Sequence, residues 1–226
     1  MSRSSSKSGS VGDKKKILIV DDHPMMREGL AQLINSQSDL AVCGDAGDAQ
    51  EGIARALALR PDVVLLDITL PGRNGVELIK DIRAQLPDAR ILVISMHDES
   101  LYAERVLRAG GRGYVMKQEG GKKIMEALRQ VLSGNVAVSE KMSAKILDAF
   151  SGRRADAALS PVETLTDREF EVLQLLGKGM STAEMAAHLH VSPKTIEVHR
   201  ANIKAKLKLQ TAAELLRYAV RWVESQ

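Results

Sequence analysis

Val63-Val64-Leu65-Leu66-Asp67 is a run of four aliphatic residues that ends in a carboxylate. A stretch so short and so uniformly apolar reads as a strand covered on both faces, the kind found in parallel sheets. Asp67 would then stand where the chain leaves the sheet. Three other runs have the same form. Ile17 to Val20 is followed by Asp21 and Asp22, Ile91 to Ile94 by Ser95, and Gly113 to Met116 by Lys117. Taken singly, each polar residue has a plainer reading: Asp21 or Asp22 as a helix cap, Ser95 as a turn residue, Lys117 as a solvated lead-in. Carboxylates, a hydroxyl and an amine at one end of four strands together describe a crevice suited to a divalent cation and a transferred phosphoryl group.

Outward from these runs, the chain alternates five times between strand and helix. Strands fall near 17–20, 40–43, 63–66, 91–95 and 113–116, and amphipathic helices near 24–36, 48–59, 75–85, 100–109 and 121–133. Pro24 suits the first turn of its helix and Asp48 can cap the next. The expected fold is α/β, a doubly wound five-stranded parallel sheet, with ligands held outside the carboxyl ends of its strands. The division is a disordered tail over 1–15, a first domain over 16–135, a linker with a short helix over 136–163, and an all-α domain over 164–226. The short helix runs through Met142, Ile146 and Leu147.

The 226 residues are 44% hydrophobic and carry a net charge of +3, which permits a nucleic-acid partner without demanding one. The lone Cys43 excludes an internal disulfide and fits a reducing, cytoplasmic setting; it reads as a small buried hydrophobe. No apolar run approaches a membrane span, and Met1 to Lys16, rich in Ser, Gly and Lys, lacks the apolar centre of a secretory signal.

In the first domain, Asp22 and Asp67 can supply direct carboxylates to Mg²⁺, with Asp21 acting through water. Asp67 is also the candidate nucleophile that would take the phosphoryl group. Lys117 would neutralise its oxygens and Ser95 would donate a hydrogen bond to it. A phosphatase with an Asp nucleophile would want a second carboxylate two residues on, where Thr69 stands.

The order Asp21-Asp22, then Asp67 to Gly72, then Ser95, then Gly113 to Lys117, with Ala109 to Gly113 before it, resembles the receiver domain of two-component response regulators. The resemblance implies phosphorylation of Asp67 by a sensor histidine kinase, and a switch in which Ser95 moves toward the phosphoryl group and Tyr114 turns inward. It places the Thr69 backbone carbonyl among the metal ligands, and Thr69 and His97 beside the phosphorylation site as residues that tune dephosphorylation. A surface-loop role is the plainer reading of His97.

The remainder is helical. Thr166 and Glu169 form a capping box, Ser181 or Thr182 caps a second short helix, and a turn at His190 to Ser192 leads into Pro193 and a third helix ending near Leu207. Short helix, turn, long helix is a helix-turn-helix arrangement. At about 100° per residue, Ile196, His199, Ile203 and Leu207 share the core side of the third helix. Lys194, Glu197, Val198, Ala201, Asn202 and Ala205 share the other, with Arg200, Lys204 and Lys206 at the flanks. A face small at its centre and basic at its edges fits a major groove. Thr195 joins the same DNA-facing set.

Leu165 to Leu173, Gly179 to Ala186 and Val191 to Arg200 resemble the LuxR-type helix-turn-helix, which with a receiver points to the NarL/FixJ class of response regulators. That likeness implies a transcription regulator rather than an enzyme, reading double-stranded DNA with helix 193–207. It implies a homodimer when phosphorylated, with Leu215, Leu216 and Ala219 as candidate contacts (packing inside their own domain is an equal account), and RNA polymerase as a further candidate partner. Phosphorylation is expected to free the recognition helix. Two departures stand out: Thr182-Ala183 replaces the more usual Asn and charged residue, and Lys208 replaces a common Gly.

Overall fold

The computed structural model describes residues 14–71, 73–150 and 161–225, so the tail reading over 1–13 and the linker residues 151–160 lie outside the described residues. Five strands, β1 (Lys15–Val20), β2 (Leu40–Ala46), β3 (Val63–Asp67), β6 (Arg90–Ser95) and β7 (Gly113–Met116), form one parallel sheet in the order β2-β1-β3-β6-β7. Side chains alternate across it. Ile17, Ile19, Val63, Leu65, Leu92 and Ile94 pack with α1 (Pro24–Asn35) and α5 (Gly120–Leu132). Leu18, Val20, Val64, Leu66, Ile91 and Val93 pack toward α2 (Ala49–Leu59), α3 (Gly75–Gln85) and α4 (Glu99–Arg108). These strand residues are fully buried, which is why the runs are apolar without alternation.

Local chemistry sets the helix starts. Pro24 opens α1, Asp48 accepts from the Glu51 N–H at the head of α2, and Asn74 accepts from the Val76 N–H at the head of α3. A two-stranded hairpin, β4 (Thr69–Leu70) with β5 (Arg73–Asn74), follows β3 and was not signalled by the sequence. Gly75 comes next. A Cβ there would lie 2.6 Å from the Ile68 Cα and 2.8 Å from the Asp67 carbonyl oxygen, so only glycine lets α3 start this close to the functional strand end.

The first unit extends past the expected boundary at 135. Ala137 accepts from the Tyr114 N–H and donates to the Arg112 carbonyl, and it is buried with the sheet core. The backbone of 136–138 thus covers the edge of β7 that no other strand pairs. α6 (Glu140–Phe150) then returns to α4, with Met142 buried.

α7 (Asp167–Gly177), α8 (Thr182–His188), α9 (Pro193–Lys206) and α10 (Ala212–Glu224) make the second unit. Thr166, Ser181 and Thr211 each make a capping box with a glutamate three residues on. Gly177 lets α10 lie close, since a Cβ there would meet the Ala219 carbonyl at 2.5 Å. Leu215 and Ala219 are fully buried inside this unit, so as dimer contacts they fall away, and only Leu216 of the three is exposed. None of the described helices is long and apolar enough to cross a membrane.

Candidate functional site

Parallel register brings the polar strand ends together. Val20 pairs with Leu66, Asp67 with Ile94 and Ser95 with Met116, so Asp21, Asp67, Ser95 and Lys117 arrive at one level of the sheet. Lys117 Nζ lies 2.6 Å from Asp67 Oδ2 and 2.7 Å from Asp21 Oδ2, all three residues being buried. One ammonium therefore serves two carboxylates from two other strands. The Thr69 N–H donates to the second oxygen of Asp67 at 3.0 Å, and the His23 N–H donates to Asp21 at 2.9 Å. Arg27 ties the pocket wall, donating to the Asp21 carbonyl and to Asp45.

Burial pushes the Asp67 carboxyl up to about 6, against the pull of Lys117; the Lys117 ammonium ends above its usual range, its desolvation outweighed by Asp67 and Asp21. Donor atoms of Asp21, Asp22, His23 and Asp67 lie within 4.8 Å of one another. Several carboxylates facing a single lysine leave net negative charge, and their hard oxygen donors fit Mg²⁺. His23 was not singled out from the sequence. Its Nδ1 lies 2.7 Å from Asp22 Oδ1, and only its position right after the acidic pair hinted at that.

Ser95 is buried, its hydroxyl accepting the His97 N–H at 3.1 Å. Tyr114 is already inside, 2% exposed, with its hydroxyl donating to the His97 carbonyl at 2.9 Å. The inward turn expected on phosphorylation is thus present with Asp67 unmodified. His97 is not a simple surface residue either. Its Nε2 meets the Thr69 hydroxyl at 3.2 Å, and its ring lies 5.0 Å from that of Tyr102. Burial, with Lys178 and His188 of the second unit, pushes its imidazole down to about 4.

Tyr102 carries the surroundings of the pocket into the second unit. Its hydroxyl, fully buried, donates to Gln174 Oε1 at 2.9 Å, and its ring packs edge-on to Phe170 at 5.3 Å. Arg105 lies 4.2 Å over Phe170 and donates to the Val162 and Leu165 carbonyls. Asp167 is held by both Lys80 and Arg105, and Asn74 donates to Glu171. These contacts explain why Asp167, Glu171 and Gln174 are buried on a helix that otherwise would show them to water. Glu169 is turned instead to Lys206, which donates to it at 2.6 Å. Burial alone would raise the Glu169 carboxyl; hydrogen bonds from Lys206 and Thr166 hold it below the usual range.

On α9 the expected faces hold. Ile196 and Ile203 are fully buried, while Lys194, Glu197, Val198, Ala201, Asn202 and Ala205 are exposed, Val198 at 52%. The receiver-like unit thus docks on α7 and leaves these residues uncovered. Whether the first unit masks the recognition helix was left open by the sequence; here its outer face is uncovered. Thr195 is half-buried, and its hydroxyl bonds to that of Ser192 at the helix cap. Lys208, just past α9, sits at φ 57°, the left-handed region that accounts for the glycine common there.

Comparison with known proteins agrees with this geometry. Residues 17–129 match the response regulator receiver domain, and residues 163–219 match the luxR family of bacterial regulatory proteins. The chain is 34% identical over 210 residues to the oxygen regulatory protein NreC of Staphylococcus carnosus, covering 91% of this chain and 97% of the relative. It is 35% identical to NreC of Staphylococcus aureus over the same shares. Among solved structures, an RcsB response regulator from Salmonella typhimurium superposes with a TM-score of 0.63 at 26% identity, covering 92% and 98% of the two chains. A LuxR-family two-component response regulator from Aurantimonas gives 0.57 at 35% identity over 62% and 99%. With a receiver pocket at the carboxyl ends of the strands and an exposed helix-turn-helix on the other unit, the chain belongs to the two-component response regulators of the NarL/FixJ class, DNA-binding transcription regulators rather than enzymes.

Proposed function

We propose that Asp67 is the phosphoacceptor and that its phosphorylation by a sensor histidine kinase controls DNA binding through the α4–α7 junction. The observation that carries this reading is Lys117 bridging Asp21 and Asp67. A carboxylate held by one ammonium and one backbone N–H is oriented for attack, and the same two donors then face the oxygens of the phosphoryl group. Asp22 and Asp67 would hold Mg²⁺ directly, with Asp21 through water and the Thr69 carbonyl completing the set. The ion supplies charge neutralisation of the phosphoryl oxygens. Ser95 would exchange the His97 N–H for the phosphoryl group and so disturb the His97–Tyr102 contact.

That disturbance reaches Gln174 and Phe170 without passing through α9. Control then acts on how the second unit is held, and on whether two copies can pair their helices on two half-sites, rather than by covering the reading face. Leu216 remains the candidate for a dimer contact. Double-stranded DNA, RNA polymerase and a cytoplasmic setting complete the proposal.

Incubation with a small phosphodonor and Mg²⁺, followed by phosphate-affinity electrophoresis, tests the first step. The wild type should give a retarded band that a chelator abolishes and that Asp67→Ala does not form. A retarded band surviving Asp67→Ala would assign the phosphoryl group elsewhere.

A further inference from the structure

Thr182 stands at the start of α8, where Ser181 already caps the helix: the Ser181 hydroxyl takes the Glu184 N–H, and the Glu184 carboxylate takes the Ser181 N–H. The Thr182 hydroxyl is therefore free of capping duty. It spans the turn to α9 instead, donating to Glu197 Oε1 at 2.9 Å and accepting from Arg200 Nη1 at 2.9 Å. Arg200 Nη1 also donates to Glu197 Oε1 at 2.8 Å, closing a three-membered ring of polar contacts. The Glu197 side chain is 57% exposed and that of Arg200 20%. An exposed pair of this kind adds little to stability. What it does add is orientation. One oxygen of Glu197 is taken by two donors on the protein, and the other is left for a partner outside, beside the exposed Val198.

We propose that Thr182 is a positioning residue for sequence readout, locking Glu197 and Arg200 so that the outward carboxylate oxygen selects cytosine at one position of each half-site. This rests on the reading of α9 as the helix in the major groove. A carboxylate oxygen there accepts a hydrogen bond and can donate none. It is repelled by guanine O6 and N7 and by thymine O4. Adenine offers its N6 amine but sets the N7 acceptor beside it. Cytosine's N4 amine has an acceptor on one side only, the O6 of its paired guanine, whereas the adenine amine is also flanked by the O4 of its paired thymine, so cytosine meets a single fixed acceptor with the least repulsion. Without the hydroxyl, Glu197 and Arg200 keep their pair but lose the anchor to α8, and the carboxylate swings among rotamers that suit other bases.

The full chain is tested against duplexes recovered from a randomised pool, then against four duplexes differing at each single position. The wild type should prefer cytosine at one position by about tenfold. Thr182→Val should cut that preference several-fold at that position only, with salt dependence unchanged. Thr182→Ser should restore it, and Glu197→Gln should remove it. The idea is overturned if Thr182→Val keeps the wild-type pattern, if it weakens all four duplexes alike, or if the preferred base is not cytosine. Lys204→Ala separates this from the underlying reading. If it leaves the salt dependence unaltered, or if the wild type binds no duplex, the assignment of α9 fails and this inference with it.

Discussion

The pocket around Asp67 and the outer face of α9 solve opposite problems. In the pocket, charged groups are buried and held in place: Lys117 by the carboxylates of Asp21 and Asp67, and Asp67 by Lys117 and the Thr69 backbone N–H. On the outer face of α9 the side chains stand in water, and in the proposed role their partners would come from DNA. A buried site is built by the sheet and tolerates little change, because an unpaired buried charge is costly. An exposed site is built by omission, from small residues at the centre and cations at the rim. Substitutions there should alter binding while leaving the fold alone.

The contrast is broken or sharpened first at Gly75. Gly75→Ala puts a methyl group against the backbone of Ile68 and Asp67. A loss of about 3 kcal/mol in urea unfolding is expected, with phosphoryl uptake falling alongside it. Next is the junction between the regions. Asp167→Ala takes away the shared partner of Lys80 and Arg105 and should weaken docking by about 1–3 kcal/mol. Faster hydrogen exchange along α4 and a larger radius in solution scattering would register that loss. Lys208→Gly relieves a left-handed residue at the end of α9 and should raise stability by about 1 kcal/mol, read as a higher Tm. Smallest in stability are changes on the reading face. Val198→Ala should stay within about 0.5 kcal/mol while shifting sequence preference. Lys204→Ala should weaken binding to all duplexes and reduce the salt slope by about one.

Much of the fold was readable because its signals are local. Four apolar runs with polar ends, and the capping residues Asp48 and Thr166, each declare themselves within a few residues. What escaped depends on partners distant in sequence. Asp167, Glu171 and Gln174 look like ordinary solvent-facing residues of α7, and only the docked α4 and β5 bury them. His97 looks like a loop residue until Tyr102 lies against it. The covering segment at 136–138 has no strand-like pattern to announce it. Leu215 and Ala219 fit a dimer stripe and a domain core equally well by spacing, and burial decides for the core.

Trp222 gives the most direct test of the link between the two regions. It is the only tryptophan, and its ring packs edge-on to Phe170 at 5.2 Å, on the helix that Tyr102 and Arg105 clamp. Its emission is measured before and after Asp67 is phosphorylated, with the phosphorylated fraction counted on the same sample. Release of α7 from α4 exposes the Phe170 pocket to water, so the account predicts a shift in emission that follows the phosphorylated fraction and is absent in Asp67→Ala. A fully phosphorylated sample with unchanged Trp222 emission and unchanged exchange along α7 would contradict it.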